Sequence, residues 1–249
     1  MAVPQWQTGT VIRIIQETWN TRRYFIQMKD IEEFNFKAGQ FVTLDLPIGE
    51  KPVQRWRSYS IASHPDGSNI IELLIVLLEG GAGTTYIFNQ ITEGSEFILR
   101  GPQGLFTIPD LIETDLFFIC TGTGIAPFRS ILYDIRKHGK FHKTIYLIYG
   151  CRTKKDLLYF DEMIALQNEI QCFQFIPTLS RESWDGKTGY VHQIYEHICQ
   201  SKSTGPFTIA ENYPALFYLC GWKFMIEDAR RNLAQMGYDK KDIRFELYG

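Results

Sequence analysis

The rhythm of apolar residues along this chain changes once, at Gly101-Pro102-Gln103-Gly104, and that change limits the possible folds more than any other feature. Ahead of it lie short β-type runs at residues 9–16, 22–29, 40–46, 57–62 and 70–78, with a shorter one at 97–100. Turn residues punctuate them at Lys37-Ala38-Gly39, across 47–52 and at His64-Pro65-Asp66-Gly67. One helical segment, 84–91, interrupts the series, so this half predicts a small antiparallel barrel. Behind the change, apolar strands at 116–120, 144–149, 172–178 and 215–220 alternate with helices at 128–138, 159–170, 191–198 and 223–236. Strand–helix alternation of this kind predicts a parallel sheet covered on both faces. The expected organisation is a β-barrel domain over 1–102, a linker at about 103–112, and an α/β nucleotide-binding domain over 113–249.

Composition narrows the function classes. A 45% hydrophobic and 22% charged chain of 249 residues has the makings of packed cores, not disorder. A net charge of −2 gives no global attraction to nucleic acid or to an anionic membrane. The longest apolar run, 73–78, falls far short of the roughly 18 residues that a spanning helix needs. The first residues, MAVPQWQTGTVIRII, show no export signal, so a cytoplasmic protein is expected. Cys120, Cys151, Cys172, Cys199 and Cys220 are widely spaced with no CxxC, which argues against disulfides, a metal site or an iron–sulfur cluster. Redox chemistry would then come from an organic cofactor.

Four segments carry the chemistry. Thr121-Gly122-Thr123-Gly124-Ile125-Ala126-Pro127 follows a strand and opens a helix, where glycines permit a tight turn and free N–H groups favour phosphate; the alternative is a strand–helix connection that merely needs glycine. Arg57-Ser58-Tyr59-Ser60 places a cation and an aromatic on one face of a strand, and two hydroxyls on the other. It reads either as a cofactor strand or as an exposed edge. Gly80-Gly81-Ala82-Gly83-Thr84 heads the lone helix as a second phosphate candidate, with Thr84 as the expected capping hydroxyl. Cys220-Gly221 ends the last strand, either lining a ligand crevice or packing as a small hydrophobe.

Taken in order, these segments resemble the ferredoxin–NADP reductase family. Its signatures stand here as Arg57-Ser58-Tyr59-Ser60, Gly81-Ala82-Gly83-Thr84, Gly101-Pro102-Gln103-Gly104-Leu105-Phe106, Gly122 to Pro127, Cys220-Gly221-Trp222-Lys223-Phe224-Met225, and Phe245-Glu246-Leu247-Tyr248-Gly249. The resemblance implies an antiparallel FAD-binding β-barrel followed by a parallel-sheet, Rossmann-like NADP-binding domain. It implies that Arg57, Ser58, Gly81, Gly83 and Thr84 belong to the FAD site, with Arg57 and Thr84 on the pyrophosphate. Tyr59 would lie on one flavin face and Ser60 near the reactive nitrogen. Gly122, Thr123 and Gly124 would cradle the NADP pyrophosphate. Cys220 would border the nicotinamide, Tyr248 would stack on the other flavin face, and Glu246 would lie near the ring edge. One departure is Gly249, since some relatives end on the aromatic.

Coenzyme choice is expected to rest on Ser180, Arg181 and Lys187, whose hydroxyl and cations suit a 2′-phosphate; the plainer reading is solvated loop charge. His64 is read as a turn histidine without a role. The resemblance implies an FAD-dependent NADPH reductase serving a ferredoxin or flavodoxin, steered by Arg22, Arg23, Lys37, Arg55, Lys240, Lys241 and Arg244. A second reading is the NAD(P)H-dependent reductase component of a multicomponent oxygenase or desaturase. A third is a non-catalytic electron-transfer subunit of a larger complex, of the kind found in dihydroorotate dehydrogenase.

Overall fold

The structure is a computed structural model that describes residues 4–202 and 213–248. It forms two compact units: Met1–Thr107 with Ala126–Ile135, and Ile108–Ile125 with Arg136–Gly249.

The first unit is built on β1 (Trp6–Thr18), β2 (Thr21–Met28), β3 (Phe41–Asp45), α1 (Pro52–Arg55), β4 (Trp56–Ser60), β5 (Ile70–Val76), α2 (Ala82–Gln90) and β6 (Glu96–Gln103). All strand pairs are antiparallel, in the order β4-β3-β6-β1-β2-β5. A bridge from Ile61 to Leu73 joins the two ends and closes the barrel. Alternation puts Val42, Leu44, Leu73, Ile75, Phe97 and Leu99 inside, where they pack with Ile87 of α2. Each such side chain contributes about 1.5–3 kcal/mol on burial. The turn expected across 47–52 is followed by α1, which sequence rhythm did not reveal because it lasts four residues.

The second sheet is wholly parallel. Its strands are β7 (Asp115–Thr121), β8 (Ile145–Cys151), β9 (Phe173–Leu179), β10 (Lys187–Thr188), β11 (Ala215–Trp222) and β12 (Ile243–Tyr248), in the order β10-β9-β8-β7-β11-β12. The helices between them are α3 (Ala126–His138), α4 (Phe160–Glu169), α5 (Val191–Lys202) and α6 (Lys223–Gln235). β7 is apolar at nearly every position because both of its faces are buried. On one face Phe117 stacks on Tyr146 at 4.7 Å and on Phe217 at 4.9 Å, beneath Val191, Tyr195 and Cys199 of α5 and Ile226, Ala229 and Leu233 of α6. The sheet order runs outward from β7 to β10 and restarts beside β7 with β11, so the exits of β7 and β11 flank the switch point. No helix among the described residues is long and apolar enough to cross a membrane.

Candidate functional site

In the barrel unit, β4 carries the Arg57–Ser60 segment. Tyr59 packs half-buried on the barrel core, Ser60 is buried, and Ser58 is exposed with its hydroxyl 3.1 Å from Thr43 Oγ1. The two serines share a face by alternation but differ in cover. Burial pushes the Tyr59 hydroxyl pKa up, against the pull of the Arg57 cation, so Tyr59 is a neutral ring.

Arg57 lies against the start of α2. A Cβ built on Gly83 would stand 3.1 Å from both Cγ and Nε of Arg57, so glycine there makes room for the guanidinium stem. The helix opens on Gly81, which has no side chain to cap it. Its first-turn N–H groups and Arg57 therefore form a cationic, donor-rich corner that suits a pyrophosphate. Gly80, at φ +72°, has nothing within 4 Å of a built Cβ, so the approach is open. Thr84 does not cap this helix as expected. It sits in the first turn, and its hydroxyl faces back to Gly81 O at 3.2 Å and accepts the Leu78 N–H at 3.1 Å, which fixes the preceding turn instead.

In the second unit, a 3-10 turn, Gly122–Ile125, links β7 to α3. Its two glycines serve different ends. Gly124 is buried, and a Cβ there would be 2.6 Å from Cys220 C and 2.9 Å from Gly221 N; backbone must pass backbone at this point. Gly122 has φ +53°, and a Cβ there meets only Trp222 Nε1, at 3.8 Å. The open side of the turn is thus at Gly122 and the half-buried Thr123, which leaves space for a phosphate. Gly221, at φ +132°, packs against Thr121, so the exits of β7 and β11 interlock.

Cys220 is fully buried and registers with Cys120 on one side and Glu246 on the other, while Trp222 registers with Tyr248. Burial and the Glu246 charge hold its thiol pKa far above the ordinary range, partly offset by a hydrogen bond from Tyr248. Cys220 is therefore a protonated, apolar neighbour and not a nucleophile. Glu246 and Tyr248 are half-buried on β12, and Gly249 lies outside the described residues.

At the exits of β8 and β9, Ser180 donates its N–H and its hydroxyl to Cys151 O, at 2.9 and 3.2 Å, and Arg181 N–H bonds to Arg152 O at 2.9 Å. This brings the exposed Arg181 beside the exposed Arg152, a residue missed in sequence because nothing local marks it. Lys187, also exposed, sits on the two-residue β10 opposite Thr178, two register steps short of Ser180. Glu182 accepts the Lys154 N–H at 2.8 Å, bracing the same edge. Burial pushes the Cys151 thiol up to about 12, although the Gly122 N–H and the Tyr149 hydroxyl pull the other way.

Of the cations expected to steer a partner, five are engaged within the chain. Arg22 bonds to Gln16 Oε1 and Phe88 O, Arg23 to Glu72, and Arg55 to Asp45. Lys241 Nζ stands 3.4 Å from Asp239 Oδ2 and the Arg244 guanidinium 5.5 Å from the Tyr218 ring centroid; both are exposed, as are Lys37 and Lys240. His64 stacks on Tyr133 of α3, with ring centroids 5.5 Å apart.

Comparison with known proteins agrees with this geometry. An oxidoreductase FAD-binding domain model matches residues 8–108, and an oxidoreductase NAD-binding domain model matches residues 118–231. The chain is 32% identical over 235 residues to ferredoxin–NADP reductase B of Sorangium cellulosum, covering 91% of each. It is 30% identical over 217 residues to the phenol hydroxylase P5 protein of Acinetobacter pittii, covering 86% of this chain and 58% of that one. Several further curated relatives are likewise longer, and the chain spans 53% of one and 63% of another. A solved ferredoxin NADP+ reductase from Neisseria gonorrhoeae with bound FAD and NADP superposes with a TM-score of 0.78 at 26% identity, covering 97% of this chain and 98% of that one. With its antiparallel barrel and its parallel sheet matched to an FAD-binding and an NAD-binding domain, the chain belongs to the ferredoxin–NADP reductase family of flavoprotein oxidoreductases.

Proposed function

We propose that this reductase takes electrons from NADPH through FAD and hands them to a small redox protein, a ferredoxin or flavodoxin. The observation that carries the reading is the Arg57–Gly83 contact at the uncapped start of α2, a corner shaped and charged for a pyrophosphate. In this reading Arg57, Gly81, Gly83 and the first-turn N–H groups of α2 hold the FAD pyrophosphate. Thr84 shapes that turn, Ser58 steadies the FAD strand from its other face through Thr43, and Tyr59 gives the flavin a neutral face. Bound there, FAD supplies the capacity to accept a hydride and release electrons singly.

The chain's own residues bind and orient. Gly122 and Thr123 admit the dinucleotide phosphates, and Gly124 lets the turn close on β11. Ser60 offers a hydroxyl to the flavin. Cys220 and Glu246 shape the nicotinamide subsite, and Tyr248 offers an aromatic cover to a planar ring. Ser180, Arg181 and Lys187, with Arg152 beside them, favour a 2′-phosphate and hence NADPH over NADH. Anaerobic absorbance titration tests this: NADPH should bleach the bound flavin readily and NADH poorly.

A second reading, the reductase component of an oxygenase system, is favoured by the likeness to the phenol hydroxylase P5 protein. Equal bleaching by NADH would move that reading to first place. Turnover with ferredoxin or flavodoxin in place of an oxygenase component separates the two.

A further inference from the structure

The barrel's strands are joined by five ladders of four to eight register pairs each, but the sixth junction, between β4 and β5, holds the single bridge Ile61–Leu73. On the β4 side of that bridge stand Tyr59 and Ser60. Beyond it, Ala62 N–H bonds to Glu72 O at 2.8 Å, and Glu72 N–H bonds to Ser63 Oγ at 3.0 Å. The rest of the closure comes from α3. Arg129 Nη1 donates to Ala62 O at 2.8 Å and to Glu72 Oε2 at 3.1 Å, and Ser130 Oγ donates to Ser63 O at 2.6 Å. Glu72 is buried and shared, with Arg23 Nε on its other oxygen at 2.7 Å.

We infer that Arg129 and Ser130 form a latch across this seam that sets the position of Tyr59 and Ser60, making Arg129 a positioning residue for the flavin. The inference rests on the FAD reading of β4. Ala62 lies two residues past Ser60, about 7 Å along an extended strand, so a shift of its carbonyl moves the flavin-facing side chains with it. The ordinary function of a strand ladder, holding two backbones in register, is here given to a guanidinium that reaches a carbonyl and a carboxylate together. Both bonds come from the one Nη1, held in place by a rigid guanidinium whose Cζ lies 4.9 Å from the Tyr133 ring centroid. Lysine carries the charge on a shorter stem without that planar anchor, so Arg129→Lys keeps the pairing with Glu72 and loosens the seam. Ser130→Ala removes one bond and disturbs little else.

The test uses the FAD-loaded protein. It measures the FAD dissociation rate, the visible circular dichroism of the flavin and its midpoint potential, with 2′-phospho-AMP affinity and melting temperature alongside. Arg129→Lys should release FAD about tenfold faster, a response suited to displacements below 1 Å. It should also alter the visible dichroism and shift the potential, with 2′-phospho-AMP affinity within about twofold of wild type. Ser130→Ala should move the same readouts in the same direction by about two- to threefold, and it decides the matter where Arg129→Lys does not fold. Variants that melt lower but keep wild-type FAD release, dichroism and potential overturn the latch and leave a plain structural ion pair. A wild-type protein that takes up no FAD overturns the reading of β4 itself, a separate outcome.

Discussion

At Gly124 an added methyl would meet protein, whereas at Gly122 it would meet open space, so one substitution made at two neighbouring positions should fail in two distinct ways. A Cβ on Gly124 stands 2.6 Å from Cys220 C and 2.9 Å from Gly221 N, and closer still to Cys220 O. Ordinary contact begins near 3.4 Å, so the carbonyl carbon must retreat by about 0.8 Å. These are backbone atoms of β11, held in register with β7 and β12, and cannot swing aside as a side chain would. Overpacking of this kind costs about 1–3 kcal/mol. For a chain of 249 residues, about 2–3 kcal/mol lowers the melting temperature by about 5–10 °C. Because the turn is displaced as well, Gly124→Ala should also raise KM for NADPH, by up to about a hundredfold. Gly122→Ala faces only the left-handed backbone, a cost of about 1–2 kcal/mol at φ +53°, but its methyl fills the space given to phosphate. It should melt within a few degrees of wild type and bind NADP+ about tenfold or more weakly. Thermal melts and calorimetric NADP+ titrations of both variants suffice. If Gly124→Ala melts and binds like wild type, the packing argument is refuted; if Gly122→Ala binds NADP+ normally, the turn is not the phosphate cradle.

Replacing Arg181 with Ala should raise KM for NADPH about tenfold and KM for NADH less than twofold; equal changes in steady-state assays would remove Arg181 from coenzyme selection. Burial opposes ionisation of Asp115, but Lys202, Tyr213 and the Thr144 N–H outweigh it and hold its carboxyl below the ordinary 3.8. Its contribution to stability is therefore present above about pH 4 and lost as pH falls through the native value, so Asp115→Asn should flatten the acid limb of a melting-temperature profile, and an unchanged limb would count against it. Of the five cysteines, exposed Cys172 should react first with Ellman's reagent. Buried Cys120, Cys199 and Cys220 should react only on unfolding, and fast labelling of Cys220 would contradict its placement.

The fold was legible where one physical signal dominated. The unbroken apolar run of β7 announced a strand buried on both faces, and Gly122–Pro127 after it announced the switch-point turn. What pattern could not reveal was which glycine met protein and which met space, since both satisfy the same motif. Lys187-Thr188 is too short to show period, so its pairing with β9 came only from the fold. Basic residues look alike in sequence, yet Arg23 and Arg129 converge on Glu72 from 49 and 57 positions away, while Lys37 stays exposed. Thr84 had the right identity for a helix cap and the wrong position, because glycine had already taken the first place.

The seam closed by Arg129 and Ser130 also has a consequence for the order of events during synthesis. The last barrel strand, β6, is complete at Gln103, but Ala62, Ser63 and Glu72 do not meet their partners on α3 until residues 129 and 130 have been made. At 5–20 residues per second the ribosome needs roughly 1–5 s to make that stretch. For that interval the nascent barrel carries a buried carboxylate balanced by Arg23 alone and a junction held by one bridge and the hydrogen bonds that Glu72 makes with Ala62 and Ser63. Six strands can emerge and pair in sequence, yet the ring they form is finished by a helix that arrives after them.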